Sequence, residues 1–452
     1  MAPQPPPTPR RGPAEPGHAS IAGVLALNRT VGVVLVSVLF FGLGEQLWNP
    51  FFPAYLQAKL GPGAANQGAM AGVNIAALFA VGIYACLRNL FEAFCYVGGG
   101  QLTARLGDRG SLIGFGVLTV GGYALFLVEG GPVVAIVATL LIVGWEPLSV
   151  PVTFTTVGAT VTRSSQGMAF AVQSIQKRLP KIVGPLVAGF VLAAAAAHYG
   201  SREIGHVVGM RWLVGVSLLL GVLSLAIQLR WMPHQAPVPP GPGARAVVRQ
   251  FPSALRRLLL AEVFTRWCDW LVREFVVLYL LGTRGLDAAT VGLLFALQNV
   301  VALLTYLPVG RMTAAVGLQP FIGLTFVFFA LFPLSLAVAP DGWGLAVAFV
   351  VYGLREIGEP ARKALITSLV PREVRAQGVG LYWGIRSVAV CWASLVGAVV
   401  WAFFGPTALL SLAFVFGVVG AAAYYGLVRE ARAAAAERSG TTETLTRPSR
   451  LS

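Results

Sequence analysis

The stretch Gly100-Gln101-Leu102-Thr103-Ala104-Arg105-Leu106-Gly107-Asp108-Arg109 returns, in weaker form, as Gly310-Arg311-Met312-Thr313-Ala314-Ala315-Val316-Gly317-Leu318-Gln319, 210 positions later. Each copy is a short break between two long apolar runs. Two further marks recur at nearly the same offset. Glu146-Pro147 comes back as Glu359-Pro360, and Gln166-Gly167 as Gln377-Gly378. One unit of helices is therefore written twice in the same orientation. Within the first copy, Gly100 and Gly107 are expected to permit close backbone approach and a tight turn.

Working outward, the flanking runs are long enough to cross a bilayer, which takes about 20 apolar residues per helix. Hydrophobic residues make up 56% of the chain, charged residues only 11%, and the mean hydropathy is +0.74. A water-soluble domain carries about 25% charged residues, so this composition excludes one. Twelve runs are read, at approximately 31–58, 71–99, 111–129, 131–158, 167–197, 210–231, 257–282, 289–310, 318–339, 342–369, 377–403 and 406–428. The expected fold is an all-α membrane protein, with twelve transmembrane helices in two pseudo-symmetric six-helix bundles. The bundles fall at 31–231 and 257–428. A tail at 1–30, a Pro- and Arg-rich linker at 232–256 and a tail at 429–452 complete the chain.

The formal charge of +15 invites a nucleic-acid reading, but its placement argues for topology. With the N-terminus inside, the inner loops hold Arg105, Arg109, Arg163, Arg245, Arg249, Arg256, Arg257, Arg311, Arg372 and Arg375. The outer loops hold mainly Lys59, Arg202, Arg211 and Arg284. This is the positive-inside asymmetry, and it places both termini and the linker in the cytoplasm. No nucleic-acid partner is expected.

Enzymatic chemistry finds no footing. Cys86, Cys95, Cys268 and Cys391 fall within apolar runs and lack zinc spacing, while the four histidines fall in tails or loops. No nucleophile elbow or phosphate loop occurs. The chain is read as a non-enzyme, without cofactor or metal.

The informative residues are the charges inside the runs, because ionisable groups in hydrocarbon face a cavity or a partner. Glu45, Glu146, Lys177, Arg178, Arg266, Asp269, Arg355, Glu356 and Glu359 lie near the midplane by position, with Arg88 and Arg386 nearer the cytoplasm. Residues three or four apart share a helix face. That spacing groups Glu262, Arg266, Asp269 and Arg273; Arg355, Glu359 and Lys363; Lys177 and Lys181; and Arg88 and Glu92. The second and fourth groups have ready partners within their own helix and are read as braces. Lys177, Arg178 and Lys181 have no local acid, so they meet one on another helix or serve an anion. Glu45 has no basic neighbour in sequence. Two roles that do not exclude each other are open to it: carrying a proton, with Glu146 as its fourth-helix counterpart, and pairing with Arg88, Lys177 or Arg178. Asn49 adds an amide to the same wall.

The six-plus-six layout, the basic linker and the repeated loop resemble the major facilitator superfamily over about residues 30–430. Gly100, Leu102, Arg105, Gly107 and Arg109 match that family's loop between helices two and three. Ala104 departs from the family's Asp, and Asp108 stands where a basic residue is usual. The resemblance implies that Gly100, Arg105, Gly107, Asp108 and Arg109 form a cytoplasmic gate. The family's charge latch would then be rebuilt around Asp108 and Arg105. Gly184-Pro185-Leu186-Val187-Ala188-Gly189 is similar to a stretch associated with antiporters. The implied activity is secondary transport by alternating access, with proton-coupled export of a small organic compound the favoured form. Uptake of an organic anion, which Lys177, Arg178, Arg266 and Arg386 would suit, is the alternative. A non-transporting receptor or scaffold is the alternative from another class. The expected partners are a small-molecule substrate, protons (sodium as the alternative ion) and membrane lipid. The expected location is the cell membrane, as a monomer.

Overall fold

The computed structural model describes residues 29–61, 73–149, 166–232, 243–371 and 374–445. The N-terminal tail through residue 28, Arg163, most of the Pro-rich linker and Arg372 lie outside the described residues. Among the described residues the chain is all helical, without a strand. It begins with α1 (Arg29–Gln46), a 3-10 turn at Asn49–Phe51 and α2 (Phe52–Leu60), followed by α3 (Ile75–Leu127), α4 (Pro132–Val143), α5 (Gln166–Tyr199) and α6 (Arg202–Trp231). After α7 (Ala244–Arg249) come α8 (Ser253–Val272), α9 (Val276–Leu278), a π turn at Tyr279–Thr283 and α10 (Ala288–Val316). The remainder is α11 (Gln319–Val338), α12 (Trp343–Leu354), α13 (Glu359–Leu369), α14 (Arg375–Val390) and α15 (Ala393–Leu445).

The sequence sets the helix ends by ordinary capping chemistry. Asn74 Oδ1 accepts from the Ala76 amide at 2.8 Å, and Asp287 Oδ1 from the Thr290 amide at 2.9 Å, each opening a helix. Pro132 and Pro360 stand in the first turns of α4 and α13, where the missing N–H costs nothing. The duplicated loop is also duplicated in conformation. α3 is broken at Gly107, with φ 71° and ψ 168°, and α10 ends at Gly317, with φ 85° and ψ 177°. Only glycine adopts that backbone without strain. At Gly99, beside Gly100, a Cβ would come within 2.9 Å of the Leu148 carbonyl oxygen; the surroundings of Gly100 itself lie outside what the structure describes.

Nine helices among the described residues are long and apolar enough to cross a membrane, so this is a multi-pass membrane protein. The expected runs at 257–282 and 342–369 are not among them. The first carries Glu262, Arg266, Asp269 and Arg273, and the second carries Arg355, Glu356, Glu359, Arg362 and Lys363. The second is also broken, since α12 ends at Leu354 and α13 restarts at Glu359. The runs at 377–403 and 406–428 are contiguous in the apolar stretch Gln377–Arg429 but are two helices parted at Gly405, whose φ of 82° and ψ of 171° repeat the backbone of Gly107 and Gly317. Charge and breakage thus mark the helices that do not read as plain spans.

Helices from the two copies meet along close seams. Lipid tails are as apolar as leucine, so such contacts depend on small residues that let backbones approach. A Cβ at Gly189 would sit 2.4 Å from the Ala288 carbonyl oxygen, and one at Gly292 would sit 2.4 Å from the Pro185 carbonyl oxygen. Within the Gly184–Gly189 stretch, Pro185 and Gly189 therefore pack α5 on α10, while Gly184 packs on Gln46 of α1. Gly82 of α3 meets Ser394 and Ala398 of α15 in the same way. At one end of the molecule Trp48, Phe51, Phe52, Phe275 and Leu280 are fully buried. There Arg202 Nη1 of α6 donates to the Leu281 carbonyl at 3.0 Å. That end is closed.

Candidate functional site

Arg88 on α3 is the centre of the first charged group. Its Nε donates to Glu92 Oε1 at 2.9 Å, one turn along the same helix. Its Nη1 donates to Asn49 Oδ1 at 2.8 Å, and Asn49 Nδ2 in turn donates to Glu45 Oε1 at 3.2 Å. Glu45 lies 3.6 Å from Arg88 Nη2, so it is not isolated. It stands at the end of α1, where the helix gives way to the turn at Asn49. A third carboxylate reaches Arg88 from the other copy: Glu274, between α8 and α9, at 3.8 Å. One buried guanidinium therefore faces three carboxylates from three helical segments.

The second group runs along α8, α12 and α13. Asp269, 2% exposed, is paired with Arg355 across helices and lies 3.6 Å from Arg266 and 3.8 Å from Arg273 on its own helix. Arg355 also lies over the Tyr352 ring, at 4.0 Å from its centroid, which suits a cation buried among aromatics. Its expected partner one turn on, Glu359, is not the one it meets. Residues 355–358 form turns, so the helical spacing that would join them is lost. Glu359 instead accepts from Arg362 Nε at 3.0 Å and pairs with Lys363 at 3.3 Å. Glu262, 1% exposed, is paired with Arg362 and lies 3.5 Å from Arg386.

Two bridges connect the groups. Arg273 lies 4.0 Å from Glu274, and Arg355 lies 3.6 Å from Glu356. Glu356 is held at 2.5 Å by Arg178 of α5, which also donates to Asn299 Oδ1 at 3.2 Å and to the Tyr306 hydroxyl. The result is one continuous ion-pair network linking seven carboxylates and eight cations across both copies. Pairing of this kind is how a membrane interior tolerates buried charge.

Away from the closed end the wall is more open. Lys177 pairs with Glu146 at 3.5 Å, and their side chains are 34% and 48% exposed. Glu146 is the second residue of the helical segment that resumes at Trp145 after a turn at Gly144, and Glu359 opens α13 after the turns at 355–358. The Glu-Pro repeat thus stands just after a turn in both copies. Lys181, one turn beyond Lys177, closes no ion pair with any described residue.

In the loop between the two parts of α3, Arg105 is exposed and Asp108 is buried at the start of the second part. Arg109 Nη2 donates to the Leu229 carbonyl of α6 at 2.8 Å. Gly107 supplies the turn between them.

Sequence reasoning passed over Glu274 and Arg362. Arg362 was legible, because it follows Glu359 by three positions. Glu274 was not, since it lies one residue beyond the Glu262–Arg273 stripe and meets Arg88 only through tertiary packing. Among the described residues no group of His, Cys, Asp and Glu is arranged to hold a metal ion, and the four cysteines are buried and free.

No protein-family model and no curated protein matches this chain in sequence. Solved structures do match it in fold. The human organic anion transporter MFSD10 is 15% identical, with 88% of this chain covering 99% of that one at a TM-score of 0.64. A peptide transporter POT in complex with sulfate is 14% identical, covering 89% and 94% at a TM-score of 0.66. A D-xylose-proton symporter is 14% identical, covering 88% and 96% at a TM-score of 0.63. These neighbours are transporters and not enzymes. The chain shares the helical fold of major facilitator superfamily transporters.

Proposed function

We propose that the protein is a secondary transporter of twelve transmembrane helices, working by alternating access in the cell membrane with both termini and the linker cytoplasmic. It exports a small organic compound in exchange for protons, taken up on Glu45 and released through the region of Glu146. The observation that carries this reading is the ion-pair network joining the two copies, Arg88 to Glu274 and Arg178 to Glu356. Each carboxylate there can exchange partners as one half rocks on the other, and a proton or a substrate charge can replace a partner. Glu45 suits the proton role because Arg88 keeps Glu92 and Glu274 when Glu45 is neutral. With the Arg-rich loops inside, the closed end is extracellular and Glu146, Lys177 and Lys363 face the cytoplasm.

The test is purified protein in liposomes with an imposed pH gradient, challenged with pooled metabolites and drug-like compounds. Gradient-driven movement of any of them, abolished by a protonophore, is the expected result. Absence of movement for every pool, in protein shown to be folded, would return the receptor or scaffold reading.

A further inference from the structure

We infer that the transported compound carries an anionic group of the carboxylate, sulfonate or phosphonate class, and that Lys181 receives it. This deepens the transporter reading and rests on it. The argument begins with a mismatch in the charged wall. Every other basic side chain of the network, and Lys177 beside it, lies within 4.0 Å of a carboxylate. Lys181 does not. It sits on α5, one turn from Lys177 and on the same face, and it is half-buried.

The groups facing Lys181 do not supply its counter-charge. Glu146, Glu356 and Glu45 are the nearby acids, Glu45 being held by Arg88, and Arg178 and Arg273 the nearby bases. Glu146 is already engaged by Lys177, and Glu356 by Arg178 and Arg355. Taken together, the network, the Lys177–Glu146 pair and Lys181 hold ten cations against eight carboxylates. An ammonium without a partner inside a membrane protein is costly, and such residues mark substrate pathways. An incoming anion removes that cost and neutralises part of the surplus. Lys181 is also reachable, because Lys177, one turn away, and Glu146, which both lysines face, are partly exposed members of the wall.

The arginines that suited an organic anion on sequence grounds are less suited in the fold. Arg178, Arg266 and Arg386 are each held by carboxylates. Binding an anion there would first require breaking an ion pair. Lys181 requires no such exchange. It is therefore the side chain that distinguishes an anion from a neutral compound of equal size.

The experiment uses full-length protein in detergent and probes matched in size but not charge: benzoate, benzamide and benzamidinium, with succinate and methylphosphonate as further anions. Thermal melting is read at constant ionic strength. At least one anion should raise the melting temperature in a concentration-dependent way, and benzamide and benzamidinium should not. Lys181→Gln should lose that shift, Lys181→Arg should keep it, and Lys181→Glu should respond to benzamidinium instead. Unliganded Lys181→Gln should melt no lower than the native chain, which a bracing lysine would not allow. The inference is overturned if no anion stabilises the native chain, or if Lys181→Gln keeps the full shift. Counterflow in liposomes separates the two readings. Lys181-independent movement of benzamide or benzamidinium retains the transporter and sinks the anion site. Lys181-dependent anion binding without flux of any probe does the reverse.

Discussion

Arg178 Nη2 lies 2.5 Å from Glu356 Oε2, joining α5 of the first copy to the break between α12 and α13 of the second. The two residues are 178 positions apart in sequence. The arginine is further fixed by Asn299 and Tyr306, so a guanidinium and a carboxylate are held where the two halves face each other.

Breaking this contact should be costly from either side. Glu356→Gln leaves Arg178 without its carboxylate, and loss of one partner of a buried pair costs ~3–5 kcal/mol. Arg178→Gln should cost a similar amount. The exchanged pair, Arg178→Glu with Glu356→Arg, should recover part of the melting temperature lost by either single change. Stability of the double variant no better than the worse single variant would show that the two residues do not act as a pair.

Glu45→Gln tests the proton role with little structural penalty, because Arg88 retains Glu92 at 2.9 Å and Glu274 at 3.8 Å. The protein should melt near the native temperature and should still exchange substrate across liposomes. Uphill, gradient-driven transport should be lost. Glu146→Gln, measured beside it, reports whether the cytoplasm-facing carboxylate is equally needed. Full gradient-driven transport by Glu45→Gln removes Glu45 from the coupling mechanism.

Gly107 and Gly317 share an extended left-handed backbone at equivalent places in the two copies. A β-branched side chain there forces a strained conformation, costing roughly 1–2 kcal/mol or more. Gly107→Val should reach the membrane but lose flux, because the strain falls in the loop that joins the two parts of α3. Gly317→Val should show the same strain in its melting temperature with a smaller loss of flux. Ala104→Asp should shift the resting state without unfolding. Unchanged flux and unchanged cytoplasmic accessibility in both Gly107→Val and Ala104→Asp would refute the gate.

The thiols of Cys86 on α3 and Cys391, at the junction of α14 and α15, face each other across the seam between copies. A short-range oxidant such as copper phenanthroline should cross-link them and stop transport, and reduction should restore it. Cys391→Ser should be insensitive. Oxidation that leaves transport of the native chain intact would mean this seam does not move during the cycle.

Asp287 caps α10 from outside the membrane span, and its hydrogen bond from the Thr290 hydroxyl holds its carboxyl below the usual range. A depressed pKa contributes stability that is present at neutral pH and lost as pH falls through the lowered value, below about 4. Asp287→Ala should cost about 1 kcal/mol at neutral pH, the usual worth of an N-cap. The difference from the native chain should shrink on acidification toward pH 3, as read by thermal melting. A difference that grows on acidification would reverse the assigned sign.

The sequence by itself determined the class of structure, because apolar run length and helix punctuation are local properties. Gly107 and Gly317, Glu146-Pro147 and Glu359-Pro360, and the caps at Asn74 and Asp287 carry their meaning in their immediate neighbours. The duplication was legible for the same reason. Spacing also recovered ion pairs within one helix, such as Arg88 with Glu92. It failed at Arg355, because a turn at 355–358 destroys the face that periodicity assumes. What only the tertiary structure decided is which charges are satisfied. Glu45 meeting Arg88, Glu274 reaching the same guanidinium, Arg178 meeting Glu356 and Lys181 pairing with no carboxylate among the described residues all depend on how separate helices cross. No periodicity along one helix encodes that crossing, since it is set by small residues such as Gly189 and Gly292 packing across the seam.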